Sequence, residues 1–281
     1  MEIEINEKNK QIILDTLSKP IEIIQKISDS EKKQSDKKRL VILDLLFRQF
    51  PNLNSISLLL NQYFTLKNYG NTLPIGLIMR CCLEDMIFAK YLLTFKNNSV
   101  VFENEIIVQS KNAISEYLKY IIEQEPEYWM CSNKKKEEIK IKNIDRFNVF
   151  KIDYPQFFDE SGEIKNFRKL RKDIPDIRKY FNSKTIDRHG PYNMFKRLKS
   201  VEFKFIYIYF EYKFYCLFEH YSFHTRKIME LNKYNFGHLA LSFEFILRAI
   251  KDILEYLNVD NSYLTRIKET NKSLGELLKK E

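Results

Sequence analysis

One stretch of the sequence decides the fold class: LPIGLIMRCCLEDMIFAKYLLTF, residues 73–95. Its apolar residues recur at spacings of three and four, which predicts an α-helix. Because no other stretch is as apolar, we expect this helix to be the central one. Arg80, Glu84 and Asp85 interrupt it. It therefore lacks the uninterrupted run of ~18 apolar residues that a membrane span needs, and no membrane partner is expected.

The same spacing extends over most of the 281 residues, with little of the alternation typical of β-strands. Gly (6) and Pro (7) are also scarce, which favours long helices over a many-stranded sheet. We predict an all-α protein, a single large helical bundle with an irregular basic insertion. Within one α-helical domain, 1–281, the predicted parts are N-terminal helices (1–50), a core bundle (51–145 and 200–257), an irregular basic segment (146–199) and a C-terminal helix (258–281).

Proline and small polar residues predict several helix boundaries. Pro20 is expected to break or kink the first helix, and Pro51 to begin a new one, because proline lacks the backbone N–H that a helix interior uses. Ser35 or Asp36 is a candidate N-cap. The periodicity further predicts one long helix over 200–234.

The cysteines and the N-terminal sequence indicate the compartment. The four cysteines (Cys81, Cys82, Cys131 and Cys216) form no C-x-x-C pair, and so match neither a disulfide framework nor a zinc knuckle. The first ten residues, MEIEINEKNK, are charged and lack the apolar core of a secretory signal. We therefore expect a cytoplasmic protein with reduced cysteines.

The positive charge is concentrated in one segment. The formal net charge is +9, and residues 165–199 alone contain 12 Lys and Arg against three Asp. Lysine and arginine interleaved with aromatic residues are suited to contact phosphates and stack on bases. The predicted nucleic-acid-binding residues are Arg168, Lys169, Arg171, Lys172, Arg178, Lys179, Arg188, Lys196 and Arg197. The alternative is a solvated surface that reflects a lysine-rich composition.

Two helices contain polar residues among apolar ones. Arg80 and Glu84 stand four apart, which puts their side chains next to each other on a helix. We interpret them either as a buried ion pair that fixes helix packing or as part of a functional site. In YKFYCLFEHYSFHTRK, residues 212–227, a spacing of four places Tyr212, Cys216, His220 and His224 in one row. Such histidines are typical of satisfied core residues, acid–base catalysts or metal ligands.

Taken together, IMRCCLEDMIF and YKFYCLFEH resemble the two signature helices of a bacterial all-helical family. One helix of that family has Arg-x-x-x-Glu after an apolar run, and a later helix has Tyr-x-x-x-Ser-x-x-x-His. Arg80, Glu84, Tyr212 and His220 match those positions, and Cys216 stands where the family more often has serine. The resemblance implies that these polar groups converge between two core helices.

A looser similarity is to HEPN-type helical bundles, which include metal-independent ribonucleases of toxin and antiphage systems. Their hallmark is an arginine followed four to six residues later by a histidine. This chain departs from that pattern, because Arg188 and His189 are adjacent and Arg226 is too far from His238.

The leading hypothesis is a bacterial protein that binds or acts on RNA, or another polyanion, in stress or phage defence. If it is catalytic, His220 is the acid or base and Arg80 stabilises a phosphate's developing charge. Glu84 then orients Arg80, and Tyr212 positions the substrate or shares in proton transfer. No cofactor is expected.

Two alternatives stay open. The first is a non-enzymatic interaction module, a homodimer or a partner-binding protein, in which the polar cluster is structural. The second is a metal-dependent hydrolase in which His220, His224 and Glu84 bind a divalent metal.

Overall fold

The computed structural model describes residues 3–30, 36–66, 69–123, 132–201, 207–219 and 233–279. Over these residues the chain forms ten α-helices and no β-strand, which confirms the all-α prediction. In chain order the helices are α1 (Glu7–Ser30), α2 (Lys37–Leu66), α3 (Thr72–Leu93), α4 (Ser99–Glu123), α5 (Asn133–Asp153), α6 (Phe167–Lys172), α7 (Pro191–Val201), α8 (Ile208–Cys216), α9 (Lys233–Leu257) and α10 (Asn261–Leu278). The chain divides into two compact units, Met1–Thr94 with Pro191–Glu281 and Phe95–Gly190.

In the first unit α3 is the central helix, as its composition predicts. It packs against α2, α7, α8 and α9, while α1 packs against α2 and α10. Met79, Leu83 and Met86 of α3 are completely buried. Among the described residues, no helix combines the length and the apolar content of a membrane span.

The helix start predicted at Pro51 is wrong, and the first helix is not broken at Pro20. Helix α1 continues through Pro20, and α2 continues through Pro51 as one helix. A proline inside a helix costs ~3 kcal/mol or more, but apolar residues on both sides of each proline are buried at helical spacing. Their packing offsets the missing hydrogen bond. The N-cap prediction is confirmed at Asp36, whose carboxylate accepts a hydrogen bond from the backbone N–H of Lys38.

The single long helix predicted over 200–234 is also wrong. The described part of that stretch contains the end of α7 at Val201, α8, and a 3₁₀ turn at Leu217–Glu219 that follows α8 directly. The turn seats the ring of Phe218 against α3 at Gly76. At Leu217–Glu219 the chain is therefore a 3₁₀ turn, where the periodicity predicted that the α-helix would continue.

The second unit contains α4, α5, α6 and irregular chain. Two 3₁₀ turns, Pro155–Phe157 and Ile177–Lys179, and the short α6 lie in the segment predicted to be irregular. One buried cluster of this unit comprises Leu118, Phe157 and Phe158, packed against Ile107, Ile114, Phe147, Phe150 and Ile164.

Candidate functional site

Arg80 is the centre of a polar cluster in the first unit. Its Nη1 donates to Oε1 of Glu219 at 2.6 Å, and its Nη2 lies 3.7 Å from Oε2 of Glu84. The predicted pair with Glu84 therefore forms, but Glu219, from the 3₁₀ turn after α8, is the closer partner. The Arg80 and Glu84 side chains are 23% and 40% exposed, so the pair lies at the edge of the core and not inside it.

Tyr212 and Cys216 of α8 complete this Arg80 cluster. The guanidinium carbon of Arg80 lies 5.8 Å from the centre of the Tyr212 ring. The Cys216 thiol is within hydrogen-bonding reach of both Arg80 and Tyr212. Burial, followed by the charge of Glu84, raises the pKa of the Tyr212 hydroxyl above its ordinary value. At neutral pH this hydroxyl is protonated and can donate a hydrogen bond, but it is not a base.

The charges of the Arg80 cluster limit its chemistry. One guanidinium faces two carboxylates, those of Glu84 and Glu219, and an incoming phosphate would approach both negative charges. Arg80 is therefore poorly placed for the predicted role of stabilising charge on a phosphate. The contacts that exist connect α3, α8 and the following 3₁₀ turn.

The remaining members of the predicted row, His220 and His224, lie outside the described residues. Helix α8 ends at Cys216, so the four-residue spacing does not continue in one α-helix to either histidine. Within the described part of the chain, no group of three or more His, Cys, Asp and Glu is placed to hold a metal ion. Glu84 of the alternative metal set is paired with Arg80.

Sequence reasoning missed a second network, which connects α8 with α9. Nδ1 of His238 lies 2.8 Å from Oε2 of Glu211, a carboxylate that is almost completely buried. The ring of Phe214 stacks on the His238 imidazole with centroids 4.2 Å apart. The Ser242 hydroxyl donates to the His238 carbonyl at 2.8 Å. Polar pairs at i,i+4 on otherwise apolar helices, Glu211 with Tyr215 and His238 with Ser242, are the signal that could have found it.

Two further charges of α3 are buried and paired. Asp85 accepts from Nη2 of Arg48 at 2.9 Å, and Nε2 of Gln49 lies 3.4 Å from its other oxygen. Burial raises the pKa of Asp85 to about 6, although the nearby Arg48 opposes the shift. Lys90 forms an ion pair with Asp252 of α9. Together with Arg80, these two residues each form an ion pair between α3 and a different element.

The predicted nucleic-acid-binding residues differ in their surroundings. Seven are exposed: Arg168, Lys169, Lys172, Arg178, Lys179, Arg188 and Lys196. Lys169 is paired with Asp159 at 2.7 Å and Lys179 with Asp176 at 2.9 Å. In the first unit, Lys196 lies over the Tyr192 ring, and the half-buried Arg197 approaches the Thr94 hydroxyl at 3.3 Å.

The structure corrects the prediction for Arg171. Its side chain is 1% exposed, and its Nε and Nη2 donate to the two carboxylate oxygens of Glu105 on α4 at 2.9 and 3.0 Å. Its Nη1 donates to the carbonyls of Ile186 and Arg188 at 2.8 and 2.7 Å. Arg171 is thus inaccessible to a surface ligand, because its side chain is buried and its guanidinium is paired with the Glu105 carboxylate.

His189 extends this buried contact. Its Nδ1 lies 3.3 Å from Nη2 of Arg171, and its Nε2 is in contact with Oε1 of Gln109. Burial, followed by the charge of Arg171, lowers the pKa of His189 to about 3, so the imidazole is neutral. Nδ1 then accepts from Arg171 while Nε2–H donates to Gln109. Within the second unit, Arg171 and His189 of the basic segment are therefore both held against α4.

Comparison of the chain with protein-family models, with curated proteins and with solved structures finds no match. The resemblance to a bacterial helical family stays a prediction. The function is therefore inferred from the chain's own geometry.

Proposed function

We propose that the second unit binds RNA through exposed basic side chains of residues 165–188. One observation carries this proposal. Five exposed cations have no carboxylate within ion-pair distance in the part of the chain that the structure describes: Arg168, Lys172, Arg178, Lys184 and Arg188. Unpaired surface cations favour phosphate binding, because each contact releases counterions from the nucleic acid.

The buried contacts beneath this surface support the proposal. Arg168 and Lys172 are four residues apart on α6, so their side chains share one face of that helix. Leu170 and Arg171 of the same helix are buried, and Arg171 ties it to Glu105. A backbone that is already fixed loses less conformational freedom on binding, which favours affinity.

We favour RNA over duplex DNA for a geometric reason. Helix α6 has six residues, and the next helical element is a 3₁₀ turn of three residues, so no long helix presents these cations to a major groove. Contacts to phosphates are independent of base sequence. Short turns with dispersed cations suit irregular single-stranded RNA better than the grooves of a duplex.

We further infer that the Arg80 cluster is structural and that the chain binds RNA without cutting it. The two carboxylates that face Arg80 support this inference, since they oppose a second anion. Incubation with labelled RNA should leave the RNA intact. Cleavage that is lost in Tyr212→Phe would instead support the catalytic role predicted from the sequence.

Binding is tested by fluorescence anisotropy with a short labelled single-stranded RNA over a range of salt concentrations. The test variant is Arg168→Gln/Lys172→Gln/Arg178→Gln. We expect at least ~10-fold weaker binding and a salt slope smaller by about 2, because each phosphate contact on a single strand contributes ~0.7 to the slope.

The matched control removes the same charge from the same unit. It is Lys134→Gln/Lys135→Gln/Lys140→Gln, three exposed lysines of α5. We expect this control to bind RNA with nearly the affinity and slope of the wild type. Equal losses in both variants, or equal affinity for duplex DNA, would contradict the proposal.

A further inference from the structure

Helix α5 is apolar on two opposite sides. On one side Phe147 and Phe150 pack against the buried cluster of the second unit. The other side has four exposed apolar side chains: Ile141 (57% exposed), Ile144 (52%), Val149 (56%) and Ile152 (77%). At about 3.6 residues per turn they fall on one stripe about 140° wide. We refer to these four residues as the α5 stripe.

The spacing of the α5 stripe reads the same in both directions along the helix. Successive members are three, five and three residues apart. We propose that α5 docks antiparallel on the α5 of a second copy of this chain. A twofold axis that passes between residues 146 and 147 sets Ile141 opposite the partner's Ile152. The same axis sets Ile144 opposite the partner's Val149, as a self-complementary dimer interface requires.

Polar residues along the α5 stripe agree with this pairing. Asp145 and Asn148 are exposed and lie on the same face of α5, between the residues of the α5 stripe. The same twofold axis sets each Asp145 opposite the partner's Asn148, whose amide can donate to the carboxylate. The interface therefore matches polar with polar at its centre and apolar with apolar on either side.

The flanking charges are complementary as well. In this antiparallel packing, the twofold axis places corresponding flanks of the two helices next to each other. Lys142 on one flank therefore lies near the partner's Asp153. Both are exposed, and within the described part of the chain neither has an ion-pair partner. The other flank brings Lys140 near the partner's Lys151. That repulsion is reduced, because Nζ of Lys151 lies over the rings of its own Phe147 and Phe158, at 4.6 and 5.6 Å.

The size of the α5 stripe sets the expected strength. Four aliphatic side chains cover less than the ~800 Å² per partner of a standard interface. They nevertheless form one apolar patch on a single face of α5, which single scattered apolar residues on a surface do not. We therefore expect a reversible dimer that forms at micromolar or higher concentrations.

Sedimentation velocity of the full chain over a concentration series tests the proposal. The wild type is expected to shift from monomer to dimer. Ile144→Lys/Ile152→Lys should raise the dimer dissociation constant by ~10-fold or more, since each dimer loses four buried side chains. The control Leu58→Lys/Val100→Lys changes two apolar residues that are 58% and 59% exposed elsewhere, and it should dimerise as the wild type does.

A charge-reversal cycle tests the antiparallel direction. Lys142→Glu and Asp153→Lys should each weaken the dimer, and the double variant should recover it, because the ion pair is restored with its charges exchanged. A wild type that stays monomeric at every concentration would overturn the proposal. An Ile144→Lys/Ile152→Lys variant that still dimerises, or a double charge variant that is not rescued, would overturn it equally.

Discussion

Arg171 and Glu105 form an ion pair that is closed to solvent, with their side chains 1% and 0% exposed. Two parallel hydrogen bonds join them, and backbone carbonyls of residues 185–188 accept from the remaining nitrogen of the guanidinium. A buried charge is tolerated only when it is paired and hydrogen-bonded in this way. The pair therefore fixes the basic segment to α4.

Removing Arg171 should destabilise the protein strongly. Arg171→Met keeps much of the side-chain volume but leaves Glu105 buried without its cation, for which the typical cost is ~3–5 kcal/mol. Urea denaturation measures the change. The control Arg168→Met alters an exposed arginine of the same helix and should stay within ~0.5 kcal/mol of the wild type. Unchanged stability together with weaker RNA binding would mean that Arg171 acts at the surface, as the sequence had suggested.

The basic segment shows where prediction from the sequence ends. Arg168, Arg171 and Arg178 look alike in a run of lysines and arginines, and only the contact with Glu105, 66 residues away, makes Arg171 different. The Arg80–Glu84 pair could be predicted because it is local to one helix. The contact of Arg80 with its closer partner, Glu219, could not be predicted, because Glu219 belongs to a different element.

The helix boundaries show the same limit. The all-α class follows from a periodicity that is repeated along the chain. The continuity of α1 and α2 through Pro20 and Pro51 depends on packing against other helices, which outweighs the local preference of proline. The network of Glu211 with His238 bridges 27 residues, and a single sequence gives no measure of such a distance.

The buried carboxyl of Asp85 should make stability depend on pH in a known direction. Burial raises its pKa from 3.8 to about 6 in the folded protein. Between these values the unfolded chain has released the proton while the folded chain retains it. Stability contributed by this group is therefore complete below about pH 4 and is lost as the pH rises towards 6.

Asp85→Asn removes this titration, because the amide stays neutral. Relative to the wild type, the free energy of unfolding of Asp85→Asn should rise between about pH 4 and 6, by up to about 3 kcal/mol. Urea denaturation at a series of pH values measures the difference. The exposed Asp29→Asn reports the effect of removing one carboxylate without burial. A constant difference between Asp85→Asn and wild type would show that Asp85 titrates alike in both states.

Gly76 provides the space that Phe218 occupies. A Cβ at this position would lie 2.0 Å from Cδ1 of the Phe218 ring, and that ring is 4% exposed. Gly76 is inside α3, where alanine would favour the helix by roughly 0.5–1 kcal/mol if the space were open. The close approach of the 3₁₀ turn after α8 opposes this gain.

Gly76→Ala should therefore lower the melting temperature despite its better helix propensity, because overpacking a core typically costs ~1–3 kcal/mol. The control is Gly275→Ala in α10, where nothing lies within 4 Å of the added Cβ, so the same substitution should raise the melting temperature. In Gly76→Ala/Phe218→Leu the smaller side chain should make the combined loss smaller than the sum of the single losses. If both alanine variants were stabilised alike, the Phe218 ring would not rest against α3 at Gly76, and the connection between α3 and the turn that supplies Glu219 to Arg80 would have to differ.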